Sequence, residues 1–151
     1  MKKIAILGAG ISGLFITNLF KKNPNYQTTL YEKNTTIALE EGYGVQLSVN
    51  SIKLLNKIGF QKLPNNEKFT PNKINFYSNK SSNKICELDI ANFNSEDCKY
   101  TTLKRSTLIN FLKKDLRDVI KTNFNISKVN HQEKQIKLSF ENNEIKECDY
   151  L

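Results

Sequence analysis

The residues with the most chemical content lie at the start of the chain. Gly8-Ala9-Gly10-Ile11-Ser12-Gly13 has the spacing GxGxxG. In a phosphate-binding turn the three glycines do different work. Gly8 permits a tight turn, Gly10 lets the backbone approach a pyrophosphate, and Gly13 lets the next helix pack close to its sheet. Amides left unpaired at a helix start face the phosphates, and the helix dipole favours their charge. Glu32 lies 19 residues beyond Gly13, where a carboxylate can accept hydrogen bonds from a ribose. The chemistry implied is dinucleotide binding. The plain alternative is a glycine-rich strand–helix turn with no ligand.

The rest of the chain offers little that points to catalysis by side chains. No paired carboxylates and no Ser/His or Cys/His arrangement stand out, so no residue is expected as a proton donor or nucleophile. Cys86, Cys98 and Cys148 are odd in number and irregular in spacing, which reads as reduced, structural thiols. His131 is the only histidine and has no metal-ligand spacing around it. No metal site is expected.

Elements must hold the glycine turn in place. Ile4-Ala5-Ile6-Leu7 is a short apolar run suited to a strand buried on both faces. Ile11, Leu14, Phe15 and Leu19 follow at helical spacing, Lys21 and Lys22 suit the negative end of that helix, and Asn23-Pro24 stops it. Thr28-Thr29-Leu30-Tyr31 reads as a second strand ending at Glu32. With 151 residues the chain can bury one core, and 38% hydrophobic with 25% charged residues is ordinary. No apolar run approaches the ~20 residues that span a membrane. The start does not read as a signal peptide, and cytoplasm is the expected location. The net charge of +8 comes from lysines scattered singly or in pairs, so no nucleic-acid partner is expected.

Further along, Asn34 to Tyr43 reads as a loop with a short helix, and Gly42-Tyr43-Gly44 as a tight backbone approach. Val45 to Ser48 leads into a second helix striped by Ile52, Leu55 and Ile58, with Ser48 or Asn50 at its start and Gly59 as a left-handed cap. Ile74–Tyr77 and Ile85–Ile90 read as an antiparallel hairpin, an excursion (residues 72–100) out of a nucleotide domain. Ser106 or Thr107 is expected to cap a third helix striped by Leu108, Phe111, Leu112, Leu116, Val119 and Ile120. Asn125–Val129, Ile136–Phe140 and Ile145–Tyr150 read as three short strands, with Asn142-Asn143 as a turn. Cys148 to Leu151 is a candidate third strand of the parallel sheet.

Gly8–Leu14, Tyr31-Glu32-Lys33, Gly44–Asn50 and Leu103–Leu108 stand in the order seen in FAD-dependent aromatic hydroxylases, and the chain resembles that family. These are single-component flavoprotein monooxygenases of the para-hydroxybenzoate and salicylate hydroxylase type. Glu40 to Phe60 looks most like the salicylate branch, with Val45, Val49 and Ile58-Gly59-Phe60 as departures. The resemblance implies an incomplete, Rossmann-like α/β FAD-binding domain over residues 1–151, with the antiparallel β excursion reaching toward a substrate domain. It implies that Gly8, Gly10, Ser12 and Gly13 hold the FAD pyrophosphate and that Glu32 binds the adenosine ribose. Lys33 would lie beside the adenine, Arg105 would contact the cofactor near its flavin end, and Ile126 would meet the adenine through its backbone. Read without the family, Arg105 is a surface cation at a helix start, where the dipole does not favour it.

The implied activity uses NAD(P)H to reduce FAD and O2 to hydroxylate an electron-rich aromatic small molecule. The family carries a Gly-x-Asp-Gly motif after the strand matching Cys148–Leu151, and later a Gly-Asp motif. Neither is in this sequence, which is therefore expected to be an N-terminal fragment or the product of a truncated gene. Other readings stay open. The chain is alternatively a catalytically silent nucleotide-binding remnant, another FAD oxidoreductase (a lipid reductase, an epoxidase or a halogenase), or an NAD-dependent dehydrogenase. Arg105, the Gly44–Asn50 stretch and the hairpin weigh against the last.

Overall fold

The structure, a computed structural model, describes residues 1–37 and 43–151. Of the stretch Asn34–Tyr43, expected as a loop with a short helix, residues 38–42 lie outside these, and with them the Gly42 end of the expected backbone approach. In chain order the elements begin with β1 (Lys2–Leu7), α1 (Ile11–Lys21), β2 (Tyr26–Tyr31), β3 (Gly44–Leu47) and α2 (Val49–Asn56). Then come β4 (Lys73–Tyr77), β5 (Lys84–Asp89), β6 (Thr101–Lys104) and α3 (Arg105–Lys113). The last are β7 (Ile120–Lys121), β8 (Ile126–His131), β9 (Ile136–Phe140) and β10 (Ile145–Cys148). They divide into two compact units, Met1–Glu41 with Leu108–Leu151, and Gly42–Thr107.

The first unit is built on the parallel pair β1 and β2, with Lys2 opposite Tyr26 and Leu7 opposite Tyr31. Parallel neighbours need a crossover, and α1 supplies it. Leu14 and Thr17 are its buried residues; Ile11, Phe15 and Leu19 are half-buried. Thr17 tolerates burial because its hydroxyl donates to Gly13 O at 2.6 Å. Asn18 Nδ2 reaches Leu112 O at 2.7 Å, and Lys21 Nζ donates to Asp115 O and the Asp118 carboxylate. These bonds tie α1 to α3 and to the turn that follows it.

Beyond β2 the sheet has a further strand, in a stretch whose apolar spacing reads as helix. The order is β1-β2-β7, with Ile120 and Lys121 opposite Leu30 and Tyr31. The helix expected to run to Ile120 stops at Lys113, and Leu116 to Ile120 form a turn and then a strand. Its start also differs: α3 begins at Arg105, one residue before Ser106, and Arg105 N donates to Tyr43 O at 3.0 Å. At the opposite edge Tyr150 forms a parallel bridge with Ile4, and Ala5 N donates to Tyr150 O at 2.9 Å. Cys148 to Leu151 thus leaves one sheet and adjoins another.

The strands β8, β9 and β10 form an antiparallel meander. Ala5, Tyr31, Leu138, Phe140 and Cys148 form a buried cluster joined by Phe124, Ile126, Val129 and Ile136. Tyr31, Phe124 and Phe140 pack with ring centroids 4.9–5.2 Å apart, a range in which aromatic pairs add to the area term. Burial pushes the Cys148 thiol pKa up, which keeps it protonated and unreactive. The tight turn at 142–143 has Asn143 at φ 65°, a conformation Asn tolerates.

In the second unit β3 pairs antiparallel with β6, Gly44 opposite Lys104. Helix α2 buries Ile52 and Leu55 and starts after Ser48. Gly59 takes φ 94°, the left-handed position expected of it, and leads into a short 3-10 turn at Phe60–Lys62. The strands β4 and β5 form the antiparallel hairpin with a bulge at Phe76/Tyr77. Glu87 on β5 accepts from Lys73 at 2.6 Å and Lys84 at 2.9 Å. Those two hydrogen bonds pull its carboxyl pKa down to about 2. A depressed carboxyl pKa contributes stability above the ordinary Glu range that is lost as pH falls through the folded value. Carbon-detected NMR titration should place the Glu87 midpoint near 2, and Lys73→Ala should raise it. An ordinary Glu midpoint in the wild-type chain would show that the lysines do not grip it.

Candidate functional site

The glycine turn joins β1 to α1. Gly8 has φ +97°, in the region that favours glycine, so the strand cannot turn here with a side chain. An added Cβ on Gly13 would lie 2.0 Å from Gly8 O and 3.5 Å from Leu30 Cδ1. Helix α1 therefore begins pressed against the end of β1, a contact only glycine allows. Gly10 is different. It is the N-cap, at φ −76° and ψ −177°, an extended conformation open to any residue. A Cβ there would meet nothing within 4 Å. The chain's own packing gives no reason for glycine at position 10; the space beside it is open.

The start of α1 lacks a side-chain cap hydrogen bond and has no acidic residue in its first turn. Its first helical bond runs from Leu14 N to Gly10 O at 2.9 Å, so the amides of residues 11–13 precede the helical ladder. Ser12 is exposed within that turn. Donors of this kind, at the positive end of a helix whose first turn holds no acidic residue, suit an anion.

Glu32 stands at the end of β2 and is buried, with 8% exposure. Its Oε2 accepts from Ala9 N at 2.8 Å and its Oε1 from Asn34 N at 3.0 Å. Sequence spacing located this carboxylate but not its grip on the glycine turn, which no local pattern encodes. Backbone bonds fix the position further: Gly8 N to Tyr31 O at 2.7 Å, Glu32 N to Lys121 O at 2.8 Å and Phe124 N to Glu32 O at 2.9 Å. Lys33 follows, exposed. Gly8, Gly10, Ser12, Gly13, Glu32 and Lys33 are thus gathered at one end of the parallel pair, where open α/β sheets take ligands.

Ile126 belongs to the same unit. It opens β8 opposite Phe140 and its side chain packs on the buried cluster. Arg105 belongs to the second unit, where it is the first residue of α3 and half-buried. Among the described residues no group of three or more His, Cys, Asp or Glu is arranged to hold a metal ion, and no helix is long and apolar enough to cross a membrane.

No protein-family model matches the sequence, and no curated protein matches it. Solved structures do match. HpxO of Klebsiella pneumoniae complexed with FAD and uric acid superposes with a TM-score of 0.81 at 15% identity, over 98% of this chain and 37% of that one. The chain shares its fold with part of an FAD-bound protein. The 2,6-dihydroxypyridine-3-hydroxylase of Arthrobacter nicotinovorans gives a TM-score of 0.76 at 12% identity, over 98% of this chain and 35% of that one. The Diels-Alderase PyrE3 of pyrroindomycin biosynthesis gives 0.78 at 13%, over 100% and 32%. The chain spans about a third of the length of these structures. At such identities the likeness is one of fold, and one fold hosts many reactions.

Proposed function

We propose that this chain is the N-terminal FAD-binding part of a flavoprotein monooxygenase that hydroxylates an aromatic or related small molecule with NAD(P)H and O2. The observation that carries the reading is Gly10: a glycine that the chain's own packing does not require, beside open space, in a turn whose other two glycines the fold does require. A closely approaching ligand supplies the missing reason. The likeness to an FAD-bound fold supports FAD as that ligand.

In this reading residues 1–151 are the first part of a Rossmann-like domain, and the 72–100 hairpin reaches toward a substrate domain. Gly8, Gly10, Ser12 and Gly13 hold the pyrophosphate and Glu32 the adenosine ribose. Lys33 lies by the adenine, Ile126 offers its backbone to it, and Arg105 binds nearer the flavin. Bound FAD supplies the redox and oxygen-transfer chemistry. The residues of this chain bind and orient it, and none of them serves as a proton donor or nucleophile.

Calorimetric titration with FAD and with NAD tests the reading. FAD should bind more tightly; tighter binding of NAD would overturn the flavin assignment in favour of a dehydrogenase.

A further inference from the structure

We propose that Glu32 is a positioning residue as well as a ribose ligand: its carboxylate holds the glycine turn in its binding shape before any nucleotide arrives. The bracing half of this inference stands on geometry alone, and the ligand half rests on the nucleotide reading above.

Ala9 is 3% exposed, and its amide lies past the end of the β1–β2 ladder, whose last pair is Leu7 and Tyr31. A buried N–H without an acceptor is costly. The Glu32 carboxylate is the acceptor, reached across 23 residues of sequence at 2.8 Å. Its other oxygen receives Asn34 N, so one side chain bridges the turn after β1 and the turn after β2. These are the two loops between which a nucleotide would lie. A carboxylate offers about four lone-pair sites, and the two amides use two. A ribose diol can therefore bind in addition to the amides. Only an ionised or otherwise acceptor-only group serves both amides at once. An amide side chain of the same shape must turn its NH2 toward one of the two N–H groups.

The test uses Glu32→Gln in two arms. In the first, the ligand-free chain is unfolded by heat and its amide exchange is followed by NMR. The expected result is a Tm lowered by about 3–10 °C, with faster exchange at Ala9 or Asn34. In the second, calorimetry compares ADP with 2′,3′-dideoxy-ADP, which has no diol for Glu32 to grip. The variant should still bind dideoxy-ADP about tenfold more weakly than wild type does. The inference is overturned if Tm and exchange are unchanged and the loss is confined to ADP, because Glu32 is then a ribose ligand and nothing more. If wild type binds neither nucleotide, the nucleotide reading falls, while the first arm still decides the brace. A Glu32→Gln chain that fails to fold is replaced by Glu32→Asp, which keeps the charge but reaches at most one of the two amides.

Discussion

Gly13→Ala should cost this protein a large share of its stability. The added Cβ would stand 2.0 Å from Gly8 O, and that oxygen belongs to a backbone held by the Gly8 N–Tyr31 O bond. Neither side can yield cheaply. Helix α1 must lift from β1, which strains the contacts of Leu14 and Leu30, both fully buried. Overpacking typically costs about 1–3 kcal/mol and occasionally more; a backbone clash this close belongs at or above the top of that range. Against a usual net stability of about 5–15 kcal/mol, thermal unfolding followed by circular dichroism should show Tm falling by about 6 °C or more. An unchanged Tm would mean that α1 does not sit on β1 as described.

Gly10→Val should do the reverse: keep the fold and lose the ligand. Position 10 is extended, a conformation in which a β-branched residue is at ease, and its Cβ would meet no protein atom within 4 Å. The valine methyls would instead fill the space a pyrophosphate needs. Circular dichroism and Tm should stay close to wild type while FAD binding drops below detection, with Gly10→Ala intermediate. Full FAD affinity in Gly10→Val would show that FAD binds elsewhere. The two glycine variants together separate structural from functional need within six residues, which the motif alone does not do.

The candidate site was legible where its signals are local. The strand, turn, helix and second strand over residues 4–31 follow from apolar spacing and glycine placement, and they form as β1, α1 and β2. Gly59 at φ 94° and Asn143 at φ 65° likewise sit where a turn needs a permissive residue. The errors arose where two patterns share one spacing. Leu108, Leu112, Leu116 and Ile120 recur every four residues and read as one helical stripe, yet Ile120 belongs to a strand. A two-residue strand carries no period of its own and is defined only by its partners Leu30 and Tyr31.

From sequence alone, then, this protein is an α/β chain with a glycine turn of nucleotide-binding spacing and a carboxylate at the right distance along the chain. Those properties depend on neighbours a few residues away, through φ, helical period and strand alternation. Tertiary structure alone decided that α3 stops at Lys113 and that β7 completes the parallel sheet. It also decided that Glu32 grips the Ala9 amide. Each of these is a bond between residues distant in the chain, formed because a buried polar group or an open strand edge must find a partner, and no local pattern states which partner that is.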